Sequence, residues 1–274
     1  MNEKEKLRGR ENLRILFIAR TYPPLVGGME KVSYHLVKNL RKYAYVYLIA
    51  NTKGKKNIIP FFFYSFIKSS SLIIRNQIDV IHLSDALLSP LGFVLKKFFR
   101  KKVTVTVHGL DITYNNRLYQ LIIPFCLKTL DKIIGGSNAT INECIKRGID
   151  KRKCFFIPNG VDPEEFKLNI PKKNLRKIIS ERIRIDLDEK KIILSVGRLI
   201  KRKGFSWFIE NVYLKLPQQY VYLIVGDIGN KDDGEKERIK ELIKKYNLYE
   251  RVFMFGKTDN EFLKILYNGS DVFV

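Results

Sequence analysis

Short β-rich runs alternate with segments whose apolar residues recur at helical spacing, and that rhythm constrains the fold more than any other feature of this sequence. Residues 13–18 are the first β-rich run. A Pro/Gly loop over 22–28 follows, then 29–42, where Val32, Leu36, Val37 and Leu40 recur at the spacing of one helix face. The same order repeats. Strands are expected at 45–50, 79–83, 103–107, 132–135 and 154–157, and helices at 61–76, 87–99, 116–130 and 138–147. Such alternation predicts a parallel sheet covered by helices on both faces.

The run Pro158-Asn159-Gly160-Val161-Asp162-Pro163 breaks the rhythm, and residues 167–173 are Lys-rich, so a domain boundary is expected near residue 165. The alternation then restarts, with strands expected at 191–196, 220–225, 252–255 and 271–274 and helices at 205–213, 233–246 and 259–267. The expected organisation is a charged tail over 1–12, one α/β domain over 13–165 and a second over 166–274. A parallel strand normally leads into a covering helix, so the second domain is expected to be unfinished, its last strand poorly covered and prone to aggregation.

Composition narrows the classes. The 274 residues are 45% hydrophobic and 12% aromatic, enough for a real core and against wholesale disorder. Cys126, Cys144 and Cys154 are too few and too scattered for a disulfide framework or a Cys-rich zinc site. A reducing, cytoplasmic setting is expected. No stretch reaches the ~18 uninterrupted apolar residues of a membrane span; the longest, 58–67, is Phe-rich but short. Residues 1–12 lack the apolar stretch of a signal peptide.

The net charge is +23, unevenly spread. Residues 1–165 carry 28 basic and 13 acidic residues (+15), and residues 166–274 carry 23 and 15 (+8). Such an excess suggests an anionic partner: nucleic acid, anionic lipid or a phosphorylated substrate. A Lys-rich solvated surface is the alternative.

Three constellations fall at expected strand ends, where open α/β sheets bind ligands. The first is Thr21-Tyr22-Pro23-Pro24-Leu25-Val26-Gly27-Gly28-Met29-Glu30. Its glycines let backbone approach a ligand, and the next helix offers free N–H groups to an anion. A turn that only starts the helix is the alternative, and the Gly-x-Gly-x-x-Gly dinucleotide fingerprint is absent. The second is His108-Gly109-Leu110-Asp111, where His108 is a candidate hydrogen-bond donor or proton carrier and Asp111 its orienting partner or a cap. A lone histidine is more often structural. His35 and His82 lie far off in sequence, so a metal site has little support. The third is Val196-Gly197-Arg198-Leu199-Ile200-Lys201-Arg202-Lys203-Gly204-Phe205, whose Arg198 and Lys203 fall where a phosphate would meet a helix N-terminus. Its spacing is not that of a P-loop, and a solvated basic loop is the alternative.

These motifs form an ordered set. Pro23-Pro24-x-x-Gly27-Gly28-x-Glu30 is followed by His108-Gly109-x-Asp111, Ser137-Asn138-Ala139-Thr140 and Pro158-Asn159-Gly160-Val161-Asp162. Val196-Gly197-Arg198, four further residues and Lys203-Gly204 come next, then Gly226-Asp227 and Ser270-Asp271-Val272-Phe273-Val274. The set resembles the retaining glycosyltransferases of family 4, from about Leu13 to Val274. The resemblance implies a GT-B fold of two Rossmann-like doubly wound domains facing across a cleft, the first on the acceptor side and the second binding a nucleotide-sugar.

It also implies roles. Arg198 and Lys203 match the pair that holds the donor diphosphate, and His108 matches the histidine that contacts the donor sugar; these three are the catalytic candidates. Gly27 and Gly28 match the loop that approaches the diphosphate and the reacting sugar. Glu30, Asp111, Asn159, Gly197, Gly226 and Gly256 complete the substrate-binding candidates, with Asn159 in the interdomain crossover and Gly256 in the loop that meets the base. No metal, no cofactor and no protein nucleophile are expected. Nor is nucleic acid, for which no recognition motif appears.

The implied partners are a nucleotide-sugar donor, a glycan or lipid-linked acceptor in envelope polysaccharide or glycolipid synthesis, and an anionic membrane surface on the inner face of the cell membrane. Family members continue past Ser-Asp-Val-Phe-Val into a Glu-x7-Glu segment that grips sugar and ribose. Its absence here gives the expectation of a truncated enzyme that binds donor poorly. The alternative is a degenerate, non-catalytic GT-B protein that docks on membrane or a partner.

Overall fold

Strand β1 (Arg14–Ala19) shows why its sheet is covered twice. Leu16 and Ile18 enter one apolar cluster while Phe17 and Ala19 enter another, because successive strand residues point to opposite faces. The structure, a computed structural model, describes residues 13–25, 27–54, 57–228 and 233–274. The chain divides into two compact units, one ending at Gly160 and the other beginning at Val161.

In the first unit β1 is followed by α1 (Gly28–Leu40), β2 (Tyr45–Ala50), α2 (Ile58–Asn76), β3 (Val80–Leu83) and α3 (Ser89–Phe99). Then come β4 (Lys102–Val107), α4 (Gly109–Ile112), α5 (Arg117–Thr129), β5 (Lys132–Gly135), α6 (Asn138–Lys146) and β6 (Cys154–Phe156). The strands pair in parallel in the order β2-β1-β3-β4-β5-β6. The strand order reverses between β1 and β3, and it is at the carboxyl ends of strands around such a switch point that open α/β sheets bind ligands.

Helix α2 departs from expectation. At 19 residues and a mean hydropathy of 1.3 it is long and apolar enough to cross a membrane by length and composition, although no uninterrupted apolar run reaches that length. Here its residues Phe61, Ser65, Ser69 and Ile73 are buried. The spacing of four places them on one helix face, and Phe61 and Ile73 join the cluster of Leu16 and Ile18.

The second unit holds α7 (Pro163–Phe166), α8 (Lys172–Ile183), β7 (Lys191–Val196), α9 (Phe205–Asn211) and β8 (Tyr220–Val225). It continues with α10 (Glu235–Lys245), β9 (Val252–Gly256), α11 (Asn260–Gly269) and β10 (Val272–Phe273). Its parallel order is β10-β7-β8-β9, with β10 on an edge and Val272 and Phe273 exposed. Ile193 joins a cluster with Ile209 of α9 and Ile239 of α10, while Ile192 and Leu194 join one with Ile179 of α8 and Leu266 of α11.

This unit begins a few residues earlier than the change in rhythm suggests. Asn268 Nδ2 donates to the Phe166 carbonyl at 2.7 Å, and the Phe166 ring packs edge-on against Tyr267. Helix α8 is absent from the sequence reading. Its lysines masked Leu175 and Ile179, both of which are buried.

Candidate active site

In the first unit the loops after β1, β3 and β4 converge. Arg20 leaves the end of β1, and its Nε lies 3.0–3.1 Å from both carboxylate oxygens of Asp85, a fully buried residue just after β3. Asp85 also accepts from the Ser84 hydroxyl and from the Leu87 N–H. A buried carboxylate needs such partners, so this pair holds the β1 and β3 loops in one arrangement.

His108, one residue beyond β4, sits against that platform. Its Nε2 is 3.1 Å from the Ser84 carbonyl oxygen. A carbonyl only accepts, so Nε2 carries the proton and Nδ1 is left to accept or, in the imidazolium, to donate. Asp111 does not orient the ring through a hydrogen bond. Its Oδ2 accepts from the Ala86 N–H at 2.9 Å, tying the β4 loop to the β3 loop. Its Oδ1 is buried without a hydrogen-bond partner among the described residues. Burial pushes the Asp111 carboxyl up to about 6, against the pull of the Ala86 N–H and His108. Tyr119 is raised above the phenol range by burial and by the neighbouring Asp111 and Asp85 charges.

Gly27 and Gly28 open α1. A β-carbon on Gly27 would collide with the Glu30 carboxylate, whereas one on Gly28 would meet nothing within 4 Å. Glu30 thus turns back over the helix start, placing negative charge where the helix dipole favours it, and Gly28 leaves the open space. Asn159 lies beside Gly136: a β-carbon there would stand 3.6 Å from Asn159 Nδ2. The Ser-Asn-Ala-Thr motif has a local role, since the Ser137 hydroxyl caps α6 by accepting from the Thr140 N–H at 3.1 Å.

In the second unit three chosen glycines come together at the carboxyl edge. Gly226 N–H donates to the Gly256 carbonyl at 2.8 Å, and Gly197 N–H donates to the Val225 carbonyl at 2.9 Å. Gly226 has φ +136, and a β-carbon there would overlap the Gly197 carbonyl. The Lys203 stem passes over Gly197, 3.6 Å from where a β-carbon would be. Arg198 and Lys203 are exposed, and neither forms an ion pair with another described residue.

Part of the expected helix N-terminus is taken by a carboxylate of this chain. Helix α9 is only seven residues long, and the buried Glu235 carboxylate already accepts from the Ser206 N–H at 2.8 Å and the Ser206 hydroxyl at 2.9 Å. The exposed side chains of Arg198, Lys201, Arg202 and Lys203 are left as the positive groups of this loop. Asp227 is held below the usual carboxylate range by its hydrogen bond from Lys236. No group of three or more metal-ligating side chains gathers among the described residues. His82 lies between the hydroxyls of Thr104 and Thr106, and burial lowers it to about 4, which keeps it neutral.

Residues 26–165 match the model of the Glycosyltransferase Family 4 domain, and residues 177–274 match Glycosyl transferases group 1. The chain belongs to the family 4 glycosyltransferases. An uncharacterised glycosyltransferase of Methanocaldococcus jannaschii is 26% identical over 212 residues, covering 73% of this chain and 52% of that protein. A UDP-Gal:alpha-D-GlcNAc-diphosphoundecaprenol alpha-1,3-galactosyltransferase of Escherichia coli is 29% identical over 222 residues, covering 77% of this chain and 54% of that protein. The chain therefore spans about half the length of these curated relatives. Among solved structures, Anabaena HepE bound to UDP-glucose superposes with a TM-score of 0.75 at 17% identity, covering 95% of this chain and 73% of that one. The fold of this family 4 glycosyltransferase is GT-B.

Arg20, Ser84, Asp85 and Tyr119 did not emerge from the sequence reading of this glycosyltransferase. A signal existed for the first three: each lies just past a strand end, as His108 does. Tyr119 carries no such mark.

Proposed function

We propose that this chain takes part in retaining glycosyl transfer, moving a sugar from a nucleotide-sugar to a glycan or lipid-linked acceptor in envelope polysaccharide or glycolipid synthesis. The observation that carries the proposal is the pair Arg198 and Lys203, exposed and without an ion pair to any described residue, beside the interlocked Gly197, Gly226 and Gly256 loops of a family 4 glycosyltransferase.

Glycosyl transfer leaves negative charge on the departing diphosphate. Cations fixed near the leaving group stabilise that charge more in the transition state than in the ground state. Arg198 and Lys203 supply this charge in place of a divalent metal. His108 is the candidate contact for the donor sugar, and the Gly256 loop the candidate contact for the base. Retention follows from attack on the face the diphosphate leaves, with a phosphate oxygen taking the acceptor proton. The envelope setting draws on the undecaprenol-linked substrate in the name of the Escherichia coli relative.

Titration of UDP and GDP into the chain, in the presence of a chelator, tests the reading. The expected result is saturable binding that Arg198→Ala or Lys203→Ala weakens about tenfold or more. Equal binding by wild type and both variants overturns it and favours a non-catalytic docking protein.

A further inference from the structure

The face of the first unit formed by α2, α3 and α5 is built unlike a water-facing helical layer. Its inner side is ordinary: Phe61, Leu91, Leu95, Ile123 and Leu127 are buried in one cluster. Its outer side is also apolar. On α2, Ile59, Phe63 and Ile67 are 69, 70 and 69% exposed. They repeat every fourth residue, two positions out of step with the buried Phe61, Ser65 and Ser69, which is close to the opposite side of the helix. Phe98 of α3 and Leu121 and Phe125 of α5 are exposed as well.

The helices are neighbours. Phe66 meets Phe98 at 6.4 Å between ring centroids, and Phe93 meets Phe125 at 6.0 Å. A helix normally shows its apolar stripe to the core and polar residues to water. Exposed apolar surface that is shared across neighbouring elements marks a binding site.

The charges say what binds. Residues 58–76, 89–99 and 117–129 contain no Asp or Glu. They carry exposed Lys68, Arg75, Lys97, Arg117 and Lys128, and none of these forms an ion pair with a described residue. Lys96 is the exception, paired with Asp131 at 2.7 Å. Apolar and aromatic side chains flanked by cations without counter-charges match an anionic bilayer. The rings and aliphatic chains enter the interface, and the cations meet the headgroups. A second copy of this chain fits worse, because like charges would face each other across the contact.

We propose that the α2–α3–α5 face is an anionic-membrane docking surface, with Ile59, Phe63, Ile67, Phe98, Leu121 and Phe125 entering the interface. The docking stands apart from the transferase reading and is measured without any sugar nucleotide. The full chain is sedimented with vesicles of phosphatidylglycerol and phosphatidylcholine, and with vesicles of phosphatidylcholine alone. Binding is expected only to the mixed vesicles and is expected to weaken as salt rises.

The double variant Phe63→Ser/Ile67→Ser and the charge variant Lys68→Glu/Lys97→Glu should each lower vesicle affinity about tenfold or more, with unchanged melting temperatures. Trp207→Ser, at an exposed aromatic of α9 in the second unit, should change nothing. Undiminished binding by both double variants overturns the proposal. So does an absence of vesicle binding together with a dimer that Phe63→Ser/Ile67→Ser dissociates.

Discussion

The carbonyl oxygen of Gly197 occupies the space that a β-carbon on Gly226 would need. The loops after β7 and β8 cross there backbone against backbone, and the Gly226 N–H continues the link to the Gly256 carbonyl. Two features forbid a side chain at Gly226: the overlap and a φ of +136 that L-residues rarely adopt. Gly226→Ala is expected to cost about 2 kcal/mol or more in urea unfolding of the second unit, and to abolish nucleotide binding. Gly28→Ala, with nothing within 4 Å of the new methyl, should leave stability within about 0.5 kcal/mol of wild type. Equal midpoints for Gly226→Ala and wild type would rule out the crossing as described.

Glu235 anchors α10 to the start of α9 through two hydrogen bonds to Ser206. Glu235→Ala leaves the Ser206 N–H and hydroxyl without their acceptor in a buried place, a loss of about 2–4 kcal/mol. Glu235→Gln keeps an acceptor oxygen and should lose clearly less. Chemical denaturation of the two variants side by side measures the difference. A Gln variant as unstable as the Ala variant would contradict the hydrogen-bonding role.

Two buried groups of the first unit oppose each other in their pH dependence. Asp111 titrates at about 6 in the fold against 3.8 ordinarily. The folded state therefore holds that proton more tightly, and this contribution to stability fades as pH rises from about 4 through 6. His82 titrates at about 4 against 6.5. Its contribution is full above 6.5 and fades as pH falls toward 4.

Asp111→Asn removes only the first of these. Between pH 4 and pH 7 the stability difference should move in favour of the variant by about 1–3 kcal/mol. The variant's own curve should fall more steeply with acid than that of wild type. Urea midpoints measured across this range decide it, and parallel curves would show that Asp111 has an ordinary carboxyl.

His108 spends one ring nitrogen on the Ser84 carbonyl and is half-buried. If it meets the donor sugar, His108→Ala should slow nucleotide-sugar consumption about 100-fold. Thermal unfolding should shift by no more than about 1 kcal/mol, the worth of a single hydrogen bond. A full rate in the variant would make the histidine structural.

The strand-then-helix rhythm made much of the fold legible, because period-2 and period-3.6 patterns are local properties of the chain. The helix at α8 escaped because lysines crowd a stripe of Leu175 and Ile179 whose burial depends on α11 packing over it. The glycines and cations of the site were legible for the same reason as the strands: ligand loops follow strand ends, and His108, Gly197 and Gly226 lie there. The Arg20–Asp85 pair was not, since it joins residues far apart in the chain through one buried contact.

By itself the sequence determined the alternation, the ordered motifs of family 4 and an excess of positive charge. Only the tertiary structure decided which groups remain free to act. Glu235 takes the Ser206 N–H at the start of α9, while Arg198 and Lys203 form no ion pair with a described residue. Ser84 takes Nε2 of His108 and leaves Nδ1. Packing turns one side of α2 inward and leaves Phe63 and Ile67 facing out. Burial and hydrogen bonding depend on neighbours distant in sequence, and no local pattern encodes them.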